Sequence, residues 1–90
     1  MLSALENLFK LARERKEKPA DGSYTNKLLS NKSLSKSKVL EEINELIEAV
    51  EKDTNKIHEA ADVFYHLIIY LEAHNIKIEE IEKELEKRKK

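Results

Sequence analysis

Two pairs of acids repeat one step in this chain. Glu42 and Glu45, then Glu59 and Asp62, stand three residues apart within segments rich in apolar residues. On a helix, residues three apart lean over the same turn, so each pair presents two carboxylates to one point. No lysine or arginine occurs from Ile57 through Ile76, which leaves Glu59 and Asp62 without a basic neighbour along their own segment. An unpaired carboxylate on a buried helix is costly, and two such pairs facing each other repel. A hard divalent cation resolves both problems. Carboxylate oxygens suit Mg²⁺ or Mn²⁺, and Mg²⁺ commonly completes its shell with waters and phosphate oxygens. The chemistry expected is cation-dependent handling of a phosphorylated substrate. A single ExxE pair also arises on any solvated Glu-rich helix; two pairs on adjacent antiparallel helices are the more telling feature.

Other side chains are read beside their plainer alternatives. Within "SYTNK", Ser23, Tyr24, Thr25 and Lys27 are candidates for contact with a phosphate or ribosyl group. Alternatively Ser23 or Thr25 caps a short helical turn and Tyr24 packs as an aromatic lid. Lys38 and Arg15 are candidate phosphate ligands, as point charge and planar fork, or else surface charges. His66, one turn beyond Asp62, is either a partner of a carboxylate or a satisfied core residue. His58 and His74 are read as helix-end residues without a role, and Tyr65 and Tyr70 as core or interface aromatics. The sequence has no P-loop, glycine-rich phosphate cradle, Ser/His/Asp order or zinc-ligand spacing.

The elements that must position these residues are helical. Leu2, Leu5, Leu8, Phe9 and Ala12 recur at helical spacing until Pro19 and Gly22, predicting a first helix that ends near residue 17. A short turn is expected around Leu28 and Leu29. From about Ser37, Val39, Ile43, Leu46, Ile47 and Val50 follow one helix face, with Ala49 between Glu42 and Glu45 where another helix can approach closely. "DTN" at 53–55 predicts a tight connection with capping chemistry and an antiparallel return. The returning helix, Ile57 to about Ala73, offers room at Ala60 and Ala61 and is apolar nearly all round. A helix of that kind must be surrounded by protein, which ninety residues can hardly supply. Asn75 is expected to cap it. "IKIEEIEKELEKRKK" predicts a closing helix with Ile78, Ile81 and Leu85 inward. The fold expected is one all-α domain over residues 1–90, a bundle of three long helices plus a short element, completed by homodimerisation.

Bulk composition narrows the classes. The 17 basic and 18 acidic residues are well mixed and give a net charge of -1, which argues against a nucleic-acid binder; "KRKK" at 87–90 reads as a solvated helix end. There is no cysteine, and the N-terminal apolar residues are broken by Glu6 and Lys10, so neither a signal peptide nor a membrane span is expected. A cytoplasmic location is expected. The 39% of charged residues suits solvent-facing helices and would also suit a heat-adapted protein.

ExxE followed after a short interval by ExxD resembles the signature of the all-α nucleoside-triphosphate pyrophosphohydrolases, the MazG-like superfamily. The fuller pattern, "RKEKPADGSYTNKLL", "KVLEEINE" and "EAADVFYHLIIYL" with a closing "L..R", resembles phosphoribosyl-ATP pyrophosphohydrolase of histidine biosynthesis from about Leu5 to Arg88. That resemblance implies Mg²⁺, with Mn²⁺ as a possible substitute, on Glu42, Glu45, Glu59 and Asp62. It also implies that Glu41 assists as a further ligand or base, and that water cleaves the α–β anhydride of 1-(5-phosphoribosyl)-ATP; a carboxylate not fully committed to metal, Glu42 or Glu41, is expected to accept the water's proton. The chain departs from the family where Leu40 replaces a usual glycine and, near Asn31, where glycine is common. Two rivals accompany this reading: a house-cleaning hydrolase of ordinary or non-standard nucleoside triphosphates, and a helical interaction protein without activity.

Overall fold

The computed structural model describes residues 3–89, which form five helices and no strand. They are α1 (Ser3–Glu17), α2 (Tyr24–Ser30), α3 (Lys32–Lys52), α4 (Lys56–Ala73) and α5 (Ile78–Lys87). The expected bundle is present, its three long helices being α1, α3 and α4. Leu2 and Lys90 lie outside the described residues.

Local chemistry accounts for most boundaries. Past α1, Gly22 takes a left-handed backbone (φ 77) that a side chain would strain. The Ser23 hydroxyl then accepts from the Asn26 N–H at 3.3 Å and starts α2. Helix α3 begins five residues before the expected Ser37, because the Asn31 side chain accepts from Leu34 N–H at 3.0 Å and caps a first turn that opens on exposed Lys32 and Ser33. The 53–55 connection is tight as expected, but its mechanism differs. Asp53 and Asn55 supply left-handed backbone (φ 56 and 33), and Asn55 makes no side-chain cap. Asn75 (φ 59) closes α4 with its N–H on the Glu72 carbonyl at 3.0 Å.

The core lies among α1, α2 and α4, where Ala12, Leu28 and Ile69 are fully buried against Leu8, Leu29, Leu34 and Tyr65. Beside it Glu72 is buried as well, and it is thoroughly compensated. Arg13 donates to its Oε2 from Nε at 3.1 Å and from Nη2 at 3.0 Å, and Lys16 Nζ sits 3.4 Å from its Oε1. The same guanidinium clamps Glu79 of α5 at 2.9 and 2.6 Å and holds that carboxyl down to about 2.

The rotation of α3 turns its apolar stripe away from α4. Its buried residues are Ser35, Glu42 and Ala49, one every seven positions, so the small and acidic face meets α4. Of the residues expected to share one helix face, Ile43, Ile47 and Val50 are 37%, 53% and 56% exposed, and Leu40 joins them at 56%. On α4, Ile57 and Phe64 are exposed, as is Leu85 of α5, which was expected to point inward. Ile78 and Ile81 are half-buried beside Leu5, Phe9 and Leu71. No described helix is long and apolar enough to cross a membrane.

Candidate active site

Antiparallel packing of α3 on α4, permitted where Ala49 is buried, brings the two acid pairs face to face. Ligand atoms of Glu42, Glu45 and Glu59 all lie within 4.8 Å of one another. Asp62 enters through a second, overlapping group, with Glu59 and His58, within the same span. Three of the four predicted carboxylates thus converge directly, and the fourth joins them through Glu59.

This cluster is electrostatically unfinished. Glu42 is 6% exposed, its Oε2 is buried with no hydrogen-bond partner, and the buried Oε2 of Glu59 is orphaned in the same way. Lys38 Nζ stands 3.8 Å from Glu42 Oε1, too far for a hydrogen bond, and makes its own at 2.9 Å to Glu41. Burial first, and the neighbouring Glu45 carboxylate second, push both Glu42 and Glu59 above the ordinary carboxylate range. Glu72 shows how this chain neutralises a buried acid when a permanent partner is wanted, and nothing comparable reaches Glu42. Orphaned oxygens, acids crowded together and an all-oxygen donor set fit a divalent cation.

Around the cluster sits a polar rim. His66 is buried, with Nδ1 2.8 Å from the Asp62 carbonyl and Nε2 2.9 Å from the Tyr24 hydroxyl. A carbonyl can only accept, so Nδ1 carries the proton, and in the neutral ring Nε2 accepts from Tyr24. His66 therefore braces the Asp62 backbone, and its ring touches no carboxylate in either bond. Tyr24 stacks on Tyr65 at 6.3 Å; burial raises its pKa, with Lys38 opposing. Thr25, also buried, bonds to the Tyr65 hydroxyl at 2.6 Å.

The remaining predicted residues are placed differently. Arg15 donates to Ser23 Oγ at 2.6 Å, so both serve the start of α2 and neither touches the acids. Lys27 is exposed beside a surface cleft of about 540 Å³ lined by Pro19, Gly22, Ser23 and Tyr24. Glu41 is in neither acid group and pairs with Lys38 at 2.9 Å. The residue that the sequence left without a role and that the fold places beside an acid is His58, whose Nε2 lies 3.4 Å from Asp62 Oδ2. Its signal was the four-residue step to Asp62 on one helix face.

Comparison with known proteins shows the family. The family model described as phosphoribosyl-ATP pyrophosphohydrolase matches residues 2–89. The chain is 47% identical over 89 residues to a phosphoribosyl-ATP pyrophosphatase of Clostridium acetobutylicum, covering 93% of this chain and 79% of the relative. It is 41% identical over 92 residues to the enzyme of that name from Bacillus cytotoxicus, covering 98% and 85%. A histidine biosynthesis bifunctional protein HisIE of Pyrococcus furiosus is 39% identical over 90 residues, covering 99% of this chain and 43% of that longer protein.

Proposed function

The chain belongs to the phosphoribosyl-ATP pyrophosphohydrolase family, and from that premise we infer that it hydrolyses 1-(5-phosphoribosyl)-ATP in histidine biosynthesis through a divalent cation held by Glu42, Glu45, Glu59 and Asp62. The products are phosphoribosyl-AMP and pyrophosphate. The observation that carries the cation reading is the pair of buried, partnerless oxygens, Glu42 Oε2 and Glu59 Oε2, in a group of like charges. A Mg²⁺ or Mn²⁺ ion held there would neutralise phosphate charge and lower the pKa of a bound water.

The chain's own residues do the rest. Glu42 and Glu45 from α3 meet Glu59 and Asp62 from α4, so the spacing of the ligands is fixed by two packed helices rather than by loops. His66 holds the Asp62 carbonyl, which steadies the backbone of one ligand. Lys38, drawn to Glu41 at the rim, offers a cation to a substrate phosphate, and Tyr24 beside it offers a flat, half-exposed ring. Glu41 or Glu42 is assigned as acceptor for the water's proton, Glu41 being the one of the two that lies outside both acid groups. Ser23 and Lys27 line the surface cleft and, with Thr25, are assigned to substrate contact on family resemblance, while Arg15 supports Ser23 at the start of α2. The unit works as one cytoplasmic domain.

Homodimerisation is part of the same reading. Leu40, Ile43, Ile47 and Val50 follow the 3-4-3 spacing of a helix-pairing seam on the solvent side of α3, and a second copy supplies the cover they lack.

Pyrophosphate release from phosphoribosyl-ATP, assayed beside common nucleoside triphosphates with and without Mg²⁺, tests the substrate. Phosphoribosyl-ATP is expected to turn over fastest and only with metal. Faster hydrolysis of a plain deoxynucleoside triphosphate would move the chain to the house-cleaning class.

A further inference from the structure

We propose that His58 contributes an imidazole nitrogen to a second cation position, formed with Glu59 and Asp62, which shares Glu59 with the all-carboxylate position of Glu42, Glu45 and Glu59. The inference rests on the cation reading above and goes beyond it in ion number and ion type.

The geometry is that of one coordination sphere beside another. Ligand atoms bound to one ion at about 2.1–2.3 Å stand about 3–4.5 Å apart. The His58 Nε2 to Asp62 Oδ2 separation of 3.4 Å is such an edge, and the atoms of His58, Glu59 and Asp62 span no more than 4.8 Å. Glu59 belongs to both groups, and a carboxylate with two oxygens is the usual bridge between ions about 3.5–4 Å apart. The one member of the His58 group that hydrogen bonding leaves unsatisfied is the shared Glu59, whose Oε2 is buried without a partner. The His58 and Asp62 side chains are 72% and 37% exposed, so this second position opens to solvent, where an ion and a phosphate can enter together. A solvated His–Asp pair contributes little to stability, which leaves the arrangement without a structural task.

The donor sets predict a division of labour. Three carboxylates suit Mg²⁺ or Mn²⁺, whereas a nitrogen among oxygens favours later first-row ions such as Ni²⁺ over Mg²⁺. Because His58 is exposed on the first turn of α4 and fills no part of the core, His58→Ala should fold normally; its melting curve checks this.

Pulsed electron paramagnetic resonance of the Mn²⁺-loaded full chain, with calorimetry for Ni²⁺ and Mg²⁺, tests the assignment. The parent is expected to take up a second Mn²⁺ equivalent and show imidazole nitrogen coupling. His58→Ala should lose both, weaken Ni²⁺ binding about tenfold or more, and change Mg²⁺ binding less than about twofold. Mn²⁺ bound without nitrogen coupling, or coupling that survives His58→Ala, overturns the role of His58 and leaves the carboxylate position standing. Failure of the parent to bind Mn²⁺ at all overturns both.

Discussion

Glu42→Gln is expected to abolish pyrophosphate release while raising the melting temperature of the metal-free protein. Most substitutions of a buried, well-packed residue lose stability. Here the parent carboxylate is the problem: Glu42 is buried, its Oε2 has no partner, and it crowds Glu45 and Glu59. Glutamine keeps the shape and removes one like charge. With saturating Mg²⁺ the order reverses. A ligand that binds only the folded state at one hundred times its Kd stabilises by about 2.7 kcal/mol, which for a domain of this length raises Tm by roughly 10–20 °C. The parent should gain that shift, and Glu42→Gln should gain little of it while losing activity by about a hundredfold or more. Melting curves with and without Mg²⁺, run beside the assay, read both effects. A variant that is less stable than the parent in chelator and equally active in Mg²⁺ would show that Glu42 is an ordinary buried acid.

Ile47→Glu is expected to split the homodimer and take activity with it. The substitution lies in the middle of the outward seam of α3, between Ile43 and Val50, and a two-fold interface counts it twice. Each copy loses roughly 1 kcal/mol of apolar burial for a half-exposed isoleucine, and each buries a carboxylate with no arranged partner. Dimer Kd should rise by more than about a hundredfold, which corresponds to roughly 3 kcal/mol. Because Ile47 is already 53% exposed in the single chain, the helical content of the dissociated protein should change little. Sedimentation velocity across a dilution series checks this. A parent that stays monomeric at every concentration, or a variant that stays dimeric, would remove the seam's assigned role.

Helix identity was readable because periodicity and punctuation agree along most of the chain. Glycine and proline break it between α1 and α2, and Ser23 stands where a cap is needed. The start of α3 was hidden by composition: "NKSLSKS" has the look of a loop, and only the Asn31 side chain on Leu34 N–H turns it into a capped helix. The rotation of α3 was not readable from a single chain. Its apolar residues and its Glu42–Ala49 face are both plausible interior surfaces, and burial of apolar area ordinarily decides in favour of the first. Here the acidic face goes inward, the arrangement a cation site requires. Leu85 fails similarly: near the end of α5 it is 60% exposed.

Within the site, the three-residue spacing identified the four carboxylates, and the fold brings them together through Glu59. The outer residues divided less cleanly. Ser23 and Arg15 were read as either functional or structural, and their mutual hydrogen bond at the start of α2 gives the structural task directly. His58 was passed over because a histidine in a first helical turn is commonly a solvated end, and its spacing to Asp62 has meaning only beside the acids of α3.

The most direct test of the account is anomalous diffraction from crystals of the full chain soaked in Mn²⁺. A peak is predicted between α3 and α4, about 2.1–2.3 Å from carboxylate oxygens of Glu42, Glu45 and Glu59, with Asp62 bordering it. Density for Mn²⁺ only elsewhere, with these four side chains turned out to solvent, would contradict it.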